Sequence, residues 1–488
     1  MQRVFTIFLV VSLLLATTGC QITPPENAVT SKNDGVFEAA VEASSASELE
    51  AFGEDREIAQ ETYAISDSFS STDGSISYNL NVELREDSST WPILQVTPHD
   101  FTSEEAEQLA AAIFGEAEMY EYSQTLSKLQ LEERILELRR FVSDWEGLVA
   151  YYDGDETLAQ AVIEKYQAEI EMYSRQYEQA PDTVEPVACD WRAHPLSYYE
   201  DMSQIVALAG DIESLDKTLY IKATTVIDGW PYVFSVANRD EQDFRLHTVS
   251  AYLNLPGATV SHYSSKEPSQ AELAEVRAEI ERILGELADI GLGEWVIDTC
   301  KISAAINWAD GGDDPVYHIY ALACPKYNGV KVTHQQQLMS VKSEDAYASD
   351  YYYEQITFDY SDGKLISFEY QSPMDVVGLV NRNVEILTLE QVVDRLKKQL
   401  LLSTVGAPDS QSHDLNAERT EYVVDEVELG LVRTRIKNNE KDFYLVPAYT
   451  FHAYYEVYDT EGAAIDGSEC VFVINAVDGS IINTRLGY

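Results

Sequence analysis

Residues 356–367, ITFDYSDGKLIS, decide the fold, because apolar and polar residues alternate on both sides of a central Asp-Gly pair. This alternation predicts two half-buried β-strands. Asp362-Gly363 between them favours a type I′ turn, in which both central residues have positive φ. Residues 472–483, FVINAVDGSIIN, have the same form around Asp478-Gly479. The sequence therefore predicts the same hairpin twice.

Each hairpin ends a similar series of predicted elements. The capping box Ser269/Glu272 predicts a helix, and four strands follow at about 294–305, 316–323, 353–360 and 364–371. Thr388 and Gln391 predict a second helix, followed by strands at about 420–436, 442–458, 470–476 and 480–486. Residues 102–253 resemble a third, looser copy. We expect an α+β fold of repeated units, each with one helix packed on a four-stranded antiparallel sheet.

The predicted units have definite boundaries. They are an N-terminal α+β unit at 73–255 and two repeats at 269–372 and 388–488. A long helical hairpin is inserted in the first unit at about 127–180, because apolar residues recur there at helical spacing in two stripes. The stripes are Leu131, Ile135, Leu138, Val142 and Trp145, then Val162, Tyr166, Ile170, Tyr173 and Tyr177.

The first twenty residues have the pattern of an export signal. Arg3 precedes an apolar run at 4–16, and the small residues Thr17-Thr18-Gly19 precede Cys20. This ending resembles the lipobox of bacterial lipoproteins, which implies cleavage after residue 19 and lipid attachment at Cys20. The alternative is a secreted protein in which Cys20 is incidental. Residues 20–72 are poor in large apolar residues and predict a flexible tether, so we expect a body anchored at the extracellular face of the cell membrane.

The charge of the chain excludes one class of partner. With 33 Lys and Arg against 84 Asp and Glu, the formal net charge is −51, which repels nucleic acid. The acidic clusters at 153–156 and 310–314 lack the ligand order of an EF-hand, so we expect turns and no metal or cofactor. Cys300 and Cys324 lie on strands expected to be neighbours, and whether they pair stays open.

Tyrosine is used to excess, with 31 residues in the chain. A strand tyrosine offers an apolar ring and a polar hydroxyl to a sugar or peptide. The candidate binding face comprises Tyr351, Tyr352, Tyr353, Tyr449 and Tyr454. The alternative is that strand propensity alone accounts for these tyrosines. His318 and His452 fall in corresponding strands of the two repeats. They are candidates for a chemical role, and the alternative is that ancestry or chance placed them there.

Catalytic motifs are missing from the sequence. It contains no GxSxG, HExxH, P-loop or GxGxxG pattern. We therefore expect a non-catalytic role, with a glycan-acting hydrolase that uses an unseen carboxylate pair, or a solute- or carbohydrate-binding lipoprotein, as alternatives.

A family resemblance supports this expectation. YLVPAY at 444–449 and VINAVDG at 473–479 resemble the ending of PepSY-like domains and of YycH/YycI-type regulators. The chain as a whole resembles large uncharacterised lipoproteins of clostridia. The resemblance implies a helix on an antiparallel sheet, a location outside Gram-positive membranes, and binding or regulation, as sensor-kinase control in one branch and peptidase inhibition in another. We expect the partner to be an envelope protein, peptide or glycan. The lipobox departs from the membrane-spanning N-terminal helix of the YycH/YycI pattern.

Overall fold

A computed structural model of the chain describes residues 36–42, 61–71, 74–86, 90–123, 125–151, 156–199, 219–241, 244–254, 262–306, 315–327, 329–333, 353–402, 417–436, 439 and 441–482. The predicted signal peptide at 1–19, Cys20, and the acidic clusters at 153–156 and 310–314 lie wholly or mostly outside these residues. Within them, no helix combines the length and the apolar character needed to cross a bilayer.

The helices range in length from four to 24 residues. They are α1 (Val36–Glu42), α2 (Ser103–Phe114), α3 (Lys128–Ser143), α4 (Trp145–Tyr151), α5 (Glu156–Gln179), α6 (Leu196–Tyr199), α7 (Gln270–Asp289) and α8 (Leu389–Leu402). The strands are β1 (Glu61–Ser70), β2 (Ile76–Glu86), β3 (Thr90–Pro98), β4 (Tyr120–Glu121), β5 (His194–Pro195), β6 (Leu219–Ile227), β7 (Trp230–Glu241), β8 (Phe244–Leu253), β9 (Glu294–Ile306), β10 (Pro315–Tyr327), β11 (Val330–Lys331), β12 (Gln355–Ser361), β13 (Lys364–Gln371), β14 (Met374–Glu385), β15 (Ala417–Arg435), β16 (Phe443–Asp459), β17 (Ala464–Asn475) and β18 (Ile481–Ile482).

These strands form two largely antiparallel sheets, so the fold is α+β as expected. The eight-stranded sheet has the order β1-β2-β15-β16-β17-β18, and β3 pairs with both β14 and β16. The ten-stranded sheet has the order β11-β10-β12-β13-β8-β7-β6-β4, with β9 on β10 and β5 on β6. Between the described strands, β2 with β15 is the parallel pairing.

Helices cover one face of each sheet. In the ten-stranded sheet, α2 and α7 share a core with the inward residues of β6 to β13. The buried stripe of α7 consists of Val276, Ile280, Ile283, Leu284 and Leu287. In the eight-stranded sheet, α8 contributes Leu389, Val392, Val393 and Leu396 to a core with Tyr449 and Phe451.

The second face of the eight-stranded sheet is also apolar. Residues including Ile93, Val432, Val446 and Val473 are buried there. α1 packs on this cluster through Phe37, whose ring lies 6.2 Å from that of Tyr444. The Asn381 side-chain amide donates to the backbone oxygen of Ala40 at 2.8 Å. Both faces of the eight-stranded sheet therefore bury apolar side chains.

The predicted elements after residue 269 are confirmed to within a few residues at most ends. α7 precedes β9, β10, β12 and β13, which pair antiparallel in that order. α8 precedes β15, β16, β17 and β18, which do the same. In the N-terminal half, α2 precedes β4, β6, β7 and β8, also antiparallel in that order.

The predicted unit at 73–255 is wrong as a single unit. Its first two strands, β2 and β3, belong to the eight-stranded sheet with the end of the chain, whereas β4 to β8 belong to the ten-stranded sheet. Separate four-stranded sheets are wrong too, because β8 pairs with β13 and joins two strand series edge to edge. An unpaired edge exposes backbone donors and acceptors, and this pairing satisfies them.

The predicted tether is wrong over β1 and α1. β1 pairs with β2 along its whole length, from Glu61↔Glu86 to Ser70↔Ser77. Its sequence, ETYAISDSFS, looks like a tether because an edge strand buries few of its side chains, here Ile65 and Phe69 in part.

Besides β1 and three two-residue strands, β3 and β14 were not predicted. β3 contains Pro92 and Pro98, and β14 contains Gly378 together with a register shift on either side of Asn381. Proline and glycine are unusual inside strands, and the shifts break the two-residue period. The two strands pair with each other and lie at the edge of the eight-stranded sheet next to β16.

The inserted helical hairpin is confirmed as α3 packed on α5, with Leu131, Ile135 and Leu138 buried. Trp145 does not continue the first stripe, because α3 ends at Ser143 with Asp144 as its C-cap, and Trp145 begins α4 with 37 % exposure. The insertion lies between β4 and β6.

The two Asp-Gly hairpins have different turns. Asp362 and Gly363 have φ values of 48° and 72°, which confirms the type I′ prediction. At 478–479 the prediction is wrong, since Gly479 alone has positive φ. There the side chain of Asn475 accepts from the backbone N–H of Val477 at 2.9 Å and organises a longer loop.

The cysteines within the described residues are free thiols. β9 and β10 are neighbours as expected, but Cys300 lies opposite Ala321 and Cys324 lies opposite Val296. The pairing register therefore keeps the two sulfur atoms apart along the strands.

Candidate functional site

The candidate site lies on the face of the ten-stranded sheet opposite α2 and α7, which we call the outer face. Successive strand residues point to opposite faces. On β12, Ile356, Phe358 and Tyr360 belong to the core under the helices. Thr357 and Asp359 alternate with them and therefore lie on the outer face.

Polar side chains cross the outer face in rows of directly paired residues. One row runs through Lys222, Ser235, Ser250, Glu369 and Thr357. The next contains Thr224, Tyr252, Ser367, Asp359, Tyr320 and Lys301. Tyr252 and Lys301 are exposed, and the other residues named in the two rows are half-buried. Two buried apolar residues, Val233 and Leu322, interrupt the rows. The outer face is therefore hydroxyl- and charge-bearing where the inner face is apolar.

Asp359 is the hub of this face. His318 Nδ1 donates to Asp359 Oδ1 at 2.7 Å, and Ser367 Oγ donates to Oδ2 at 2.9 Å. The three side chains come from the neighbouring strands β10, β12 and β13. Asp359 lies directly opposite Ser367 of β13 and opposite Tyr320 of β10, two residues from His318. A carboxylate offers about four acceptor positions, so Asp359 can accept further bonds from a ligand.

Aromatic rings flank the hub. Tyr263 stacks on His318, with ring centroids 4.2 Å apart and planes 13° from parallel. Burial, with the nearby Asp359 charge, raises the pKa of the Tyr263 hydroxyl to about 12. Tyr320 lies opposite Asp359, and burial likewise raises its pKa. Both tyrosines therefore remain neutral hydrogen-bond donors at physiological pH.

The geometry suits binding better than nucleophilic catalysis. In a nucleophilic serine site, the base contacts the serine hydroxyl and a carboxylate orients the base. Here Ser367 and His318 each donate to a different oxygen of Asp359. The serine hydroxyl is thus committed to the carboxylate, and the arrangement presents a fixed, charged acceptor between aromatic rings.

The structure does not bring the predicted tyrosine face together. Tyr353 is 4 % exposed and lies under the Arg433 guanidinium at 4.5 Å. Tyr449 is fully buried, and its hydroxyl donates to the backbone oxygen of Leu387 at 2.9 Å. Exposure of these two is therefore a wrong prediction. Tyr449 lies in β16, which has apolar cores on both faces, and Tyr353 precedes β12 and is covered by Arg433. Tyr454 is 45 % exposed on β16, and Tyr351 and Tyr352 lie outside the described residues.

The two strand histidines have different surroundings. His318 pairs with Asp359, whereas His452 lies opposite Glu426 and Val471 in the eight-stranded sheet, and its Nε2 atom is buried without a hydrogen bond from any described residue. Asp359 and Ser367 were not singled out from the sequence. One signal was available: His318 and Asp359 alternate onto the same face of predicted neighbouring strands.

A second polar cluster lies where the two sheets meet. Asp375 of β14 accepts from His99 Nδ1 at 3.0 Å, and Glu105 of α2 lies 3.2 Å from His99 Nε2. The hydrogen bond with Asp375 raises the pKa of His99. Glu354 accepts from the hydroxyls of Tyr327 at 2.7 Å and Tyr370 at 3.2 Å. Burial raises the pKa of Glu354 to about 7.

No group of three or more His, Cys, Asp or Glu side chains within the described part of the chain is arranged to hold a metal ion. A pocket of about 150 Å³ with an acidic lining, including Glu275, Glu279 and Asp362, lies on the helix-covered side between α7 and the 362–363 turn.

Comparison with known proteins gives no family. No family model matches the chain, and no curated protein matches it. One structural neighbour is the crystal structure of an uncharacterized protein from Eubacterium rectale, with a TM-score of 0.41 and 10 % sequence identity. The match covers 86 % of this chain and 93 % of that protein. A similarity at this level assigns neither fold family nor function.

Proposed function

We propose that this protein is a lipid-anchored lipoprotein of the cell envelope that recognises a hydroxyl-rich ligand, an envelope glycan, without transforming it. The observation that carries this proposal is the hub at Asp359, where a carboxylate held by His318 and Ser367 lies between two tyrosines.

The chemistry of the outer face favours a glycan. Sugar hydroxyls donate to carboxylates, and charge-assisted hydrogen bonds of this kind are about twice as strong as neutral ones. Ser235, Ser250 and Thr357 can both donate and accept. The tyrosine rings offer apolar area with a polar edge. The formal charge of −51 disfavours an acidic ligand, so the proposed glycan is neutral or carries amino groups.

The architecture supports a repeated module. α7 with β9, β10, β12 and β13, and α8 with β15 to β18, have the same element order and the same sequential antiparallel pairing. α2 with β4, β6, β7 and β8 follows this order as well. We propose that all three derive from one helix-plus-four-strand unit of the PepSY-like kind, with the α3–α5 hairpin inserted in the first.

Anchoring is proposed through Cys20. Two acyl chains are about the minimum for stable membrane attachment. The Cys20→Ala variant should move the protein from the membrane fraction to the soluble fraction after cell lysis and ultracentrifugation. Retention of that variant on membranes would contradict the anchor and leave the binding proposal untouched.

The binding proposal is tested with the soluble body beginning after Cys20. Binding to insoluble envelope glycan is measured by co-sedimentation for the wild type, Asp359→Asn and Asp362→Asn. Asp362 is exposed on the turn of the same hairpin and serves as the matched control. Loss of the charged hub should weaken binding at least tenfold, since a hydrogen bond to a charged group contributes about 1.5–3 kcal/mol. Equal binding by all three proteins, or release of soluble sugar, would overturn the proposal.

A further inference from the structure

The side of α3 that faces away from α5, its outer side, is exposed, and among its described residues only Glu132 contacts α5, through a hydrogen bond from the Tyr177 hydroxyl. Its inner residues, including Leu131 and Ile135, face α5. The described residues on the opposite side that are exposed include Leu129, Glu132, Glu133, Leu136, Arg139, Arg140 and Ser143. Leu129 and Leu136 are 61 % and 56 % exposed, and they lie seven residues apart, two turns of helix.

The charges on this side form a self-complementary pattern. Two glutamates lie about one turn before Leu136, and two arginines lie about one turn after it. If a second copy of α3 packs antiparallel with Leu136 at the twofold axis, Glu133 lies opposite Arg139 of the second copy. Glu132 then lies opposite Arg140, and Leu129 lies opposite Ser143. Each contact occurs twice, as an isologous interface requires.

The charged groups are available for such contacts. Glu133, Arg139 and Arg140 form no ion pair with any side chain that the structure describes. Glu132 accepts one hydrogen bond, from the Tyr177 hydroxyl at 2.7 Å, and has further acceptor positions. Two exposed arginines that form no ion pair with a described side chain are unexpected in a chain with 84 acidic and 33 basic residues.

We propose that the outer side of α3 is a self-association surface, through which two copies of this protein pair antiparallel into a four-helix arrangement of two α3–α5 hairpins. Helices that pair in this way are selected by interhelical charge pairs beside an apolar seam. The seam here has two leucines per copy and the helix is about 24 Å long, so the interface is small and the association weak.

The sharpest test reverses one charge at a time. In Glu133→Arg, both proposed contacts become Arg against Arg, and in Arg139→Glu both become Glu against Glu. Neither variant should associate with itself, whereas an equimolar mixture restores opposite charges in both contacts. Sedimentation equilibrium of the soluble body should show association for the wild type and the mixture, and at least tenfold weaker association for each variant alone.

A crosslinking experiment checks the register. Leu136→Cys places a thiol at the twofold axis and should give a disulfide-linked dimer on mild oxidation. Leu158→Cys, at a residue 46 % exposed on α5, is the matched control and should remain monomeric like the wild type. A monomeric wild type at the highest concentration, association that survives either charge reversal, no rescue in the mixture, or equal crosslinking at Leu158 would each overturn the proposal. Circular dichroism confirms that each variant is folded.

Discussion

The two sheets of this protein differ in what their second faces carry. In the eight-stranded sheet, α8 covers one face, and the other buries Ile93, Val446 and Val473 next to α1. In the ten-stranded sheet, α2 and α7 cover one face, while the other presents Asp359, Ser367 and the polar rows around them. Each sheet contains a helix followed by strands that pair antiparallel in sequence, so the difference between the second faces lies in the side chains of alternate strand positions.

This difference indicates which sheet carries the site. Two apolar faces place a sheet in the middle of a structure, and its side chains then serve packing. One apolar and one polar face leave a stable platform from which side chains can reach a ligand, with rotamers fixed by neighbouring strands. Four substitutions or pH changes can test the difference between the inner and outer faces, or the contact between the two sheets.

The largest effect is expected from the inner face of β12. Phe358 is fully buried between the sheet and the helices, so Phe358→Ala should cost about 3–5 kcal/mol of unfolding free energy. Thr357→Ala, one residue away on the outer face, should cost less than about 1 kcal/mol. Urea unfolding followed by circular dichroism measures both values. Similar costs at the two positions would mean that the faces are not distinct.

The second effect is a pH dependence at the meeting of the sheets. The folded-state pKa of Glu354 is about 7, above its ordinary value of 4.5. The folded protein therefore binds this proton more tightly than the unfolded chain does. Its contribution to stability is complete below about pH 4.5 and is lost as the pH rises through about 7. The raised pKa of His99 acts in the same direction, because its contribution is lost as the pH rises through the folded-state value.

The unfolding free energy should accordingly fall between pH 5 and pH 8 by an amount on the order of 2–3 kcal/mol. Glu354→Gln should flatten this dependence, because the amide keeps an acceptor for the tyrosine hydroxyls and does not titrate. Glu369→Gln, on the outer face, is the matched control and should keep the wild-type slope. A steep dependence that survives in Glu354→Gln would place its origin elsewhere.

The third effect concerns the direct contact between the sheets. The segment after β11 runs along β15, where the backbone N–H of Thr333 donates to the oxygen of Leu431 at 2.9 Å. A Cβ atom at Gly430 would lie 2.3 Å from Thr333 Oγ1 and 3.0 Å from the backbone oxygen of Lys331. Gly430→Ala should therefore separate the strands at a cost of about 1–3 kcal/mol.

Gly378→Ala is the control for that substitution, since its Cβ would meet Gln95 at an ordinary 3.7 Å. Hydrogen exchange should show faster exchange at 330–333 in Gly430→Ala alone. Unchanged protection there would mean that the two sheets do not depend on this close approach.

The smallest effect is expected at the start of α7. Ser269 accepts from the backbone N–H of Glu272 at 3.2 Å, and the Glu272 side chain accepts from that of Ser269 at 2.6 Å. Loss of this cap in Ser269→Ala should cost about 1 kcal/mol, because the first turn of the helix loses an acceptor. Ser265→Ala, four residues earlier and exposed, should be neutral in the same thermal unfolding measurement.

Local signals in the sequence predicted the starts of α2, α3, α7 and α8 and most strands. The capping boxes at Thr102, Ser127 and Ser269 are all formed, since each depends on four adjacent residues. Local signals do not predict which strands pair when they are far apart in the sequence. Nothing local indicates that β2 lies parallel to β15, with Tyr78 opposite Tyr422, or that β8 lies beside β13. These pairings depend on which edges remain free after local folding.

The site was harder to predict than the fold. The abundance of tyrosine pointed to Tyr353 and Tyr449, which are buried. Arg433 covers Tyr353, and the strand of Tyr449 packs on both faces. Asp359 and its two partners, His318 and Ser367, are up to 49 positions apart in the sequence. Asp359 is also one of 84 acidic residues. Composition could not separate it from the others, and only the strand register brings His318 and Ser367 to it.

The most direct test of the account is a hydrogen-exchange footprint of the soluble body with and without solubilised envelope glycan. We predict added protection in β10, β12 and β13 around Asp359, with none in β15 to β17 of the eight-stranded sheet. Protection confined to the eight-stranded sheet, or an unchanged exchange pattern at saturating glycan, would contradict the claim that the outer face of the ten-stranded sheet is the recognition surface.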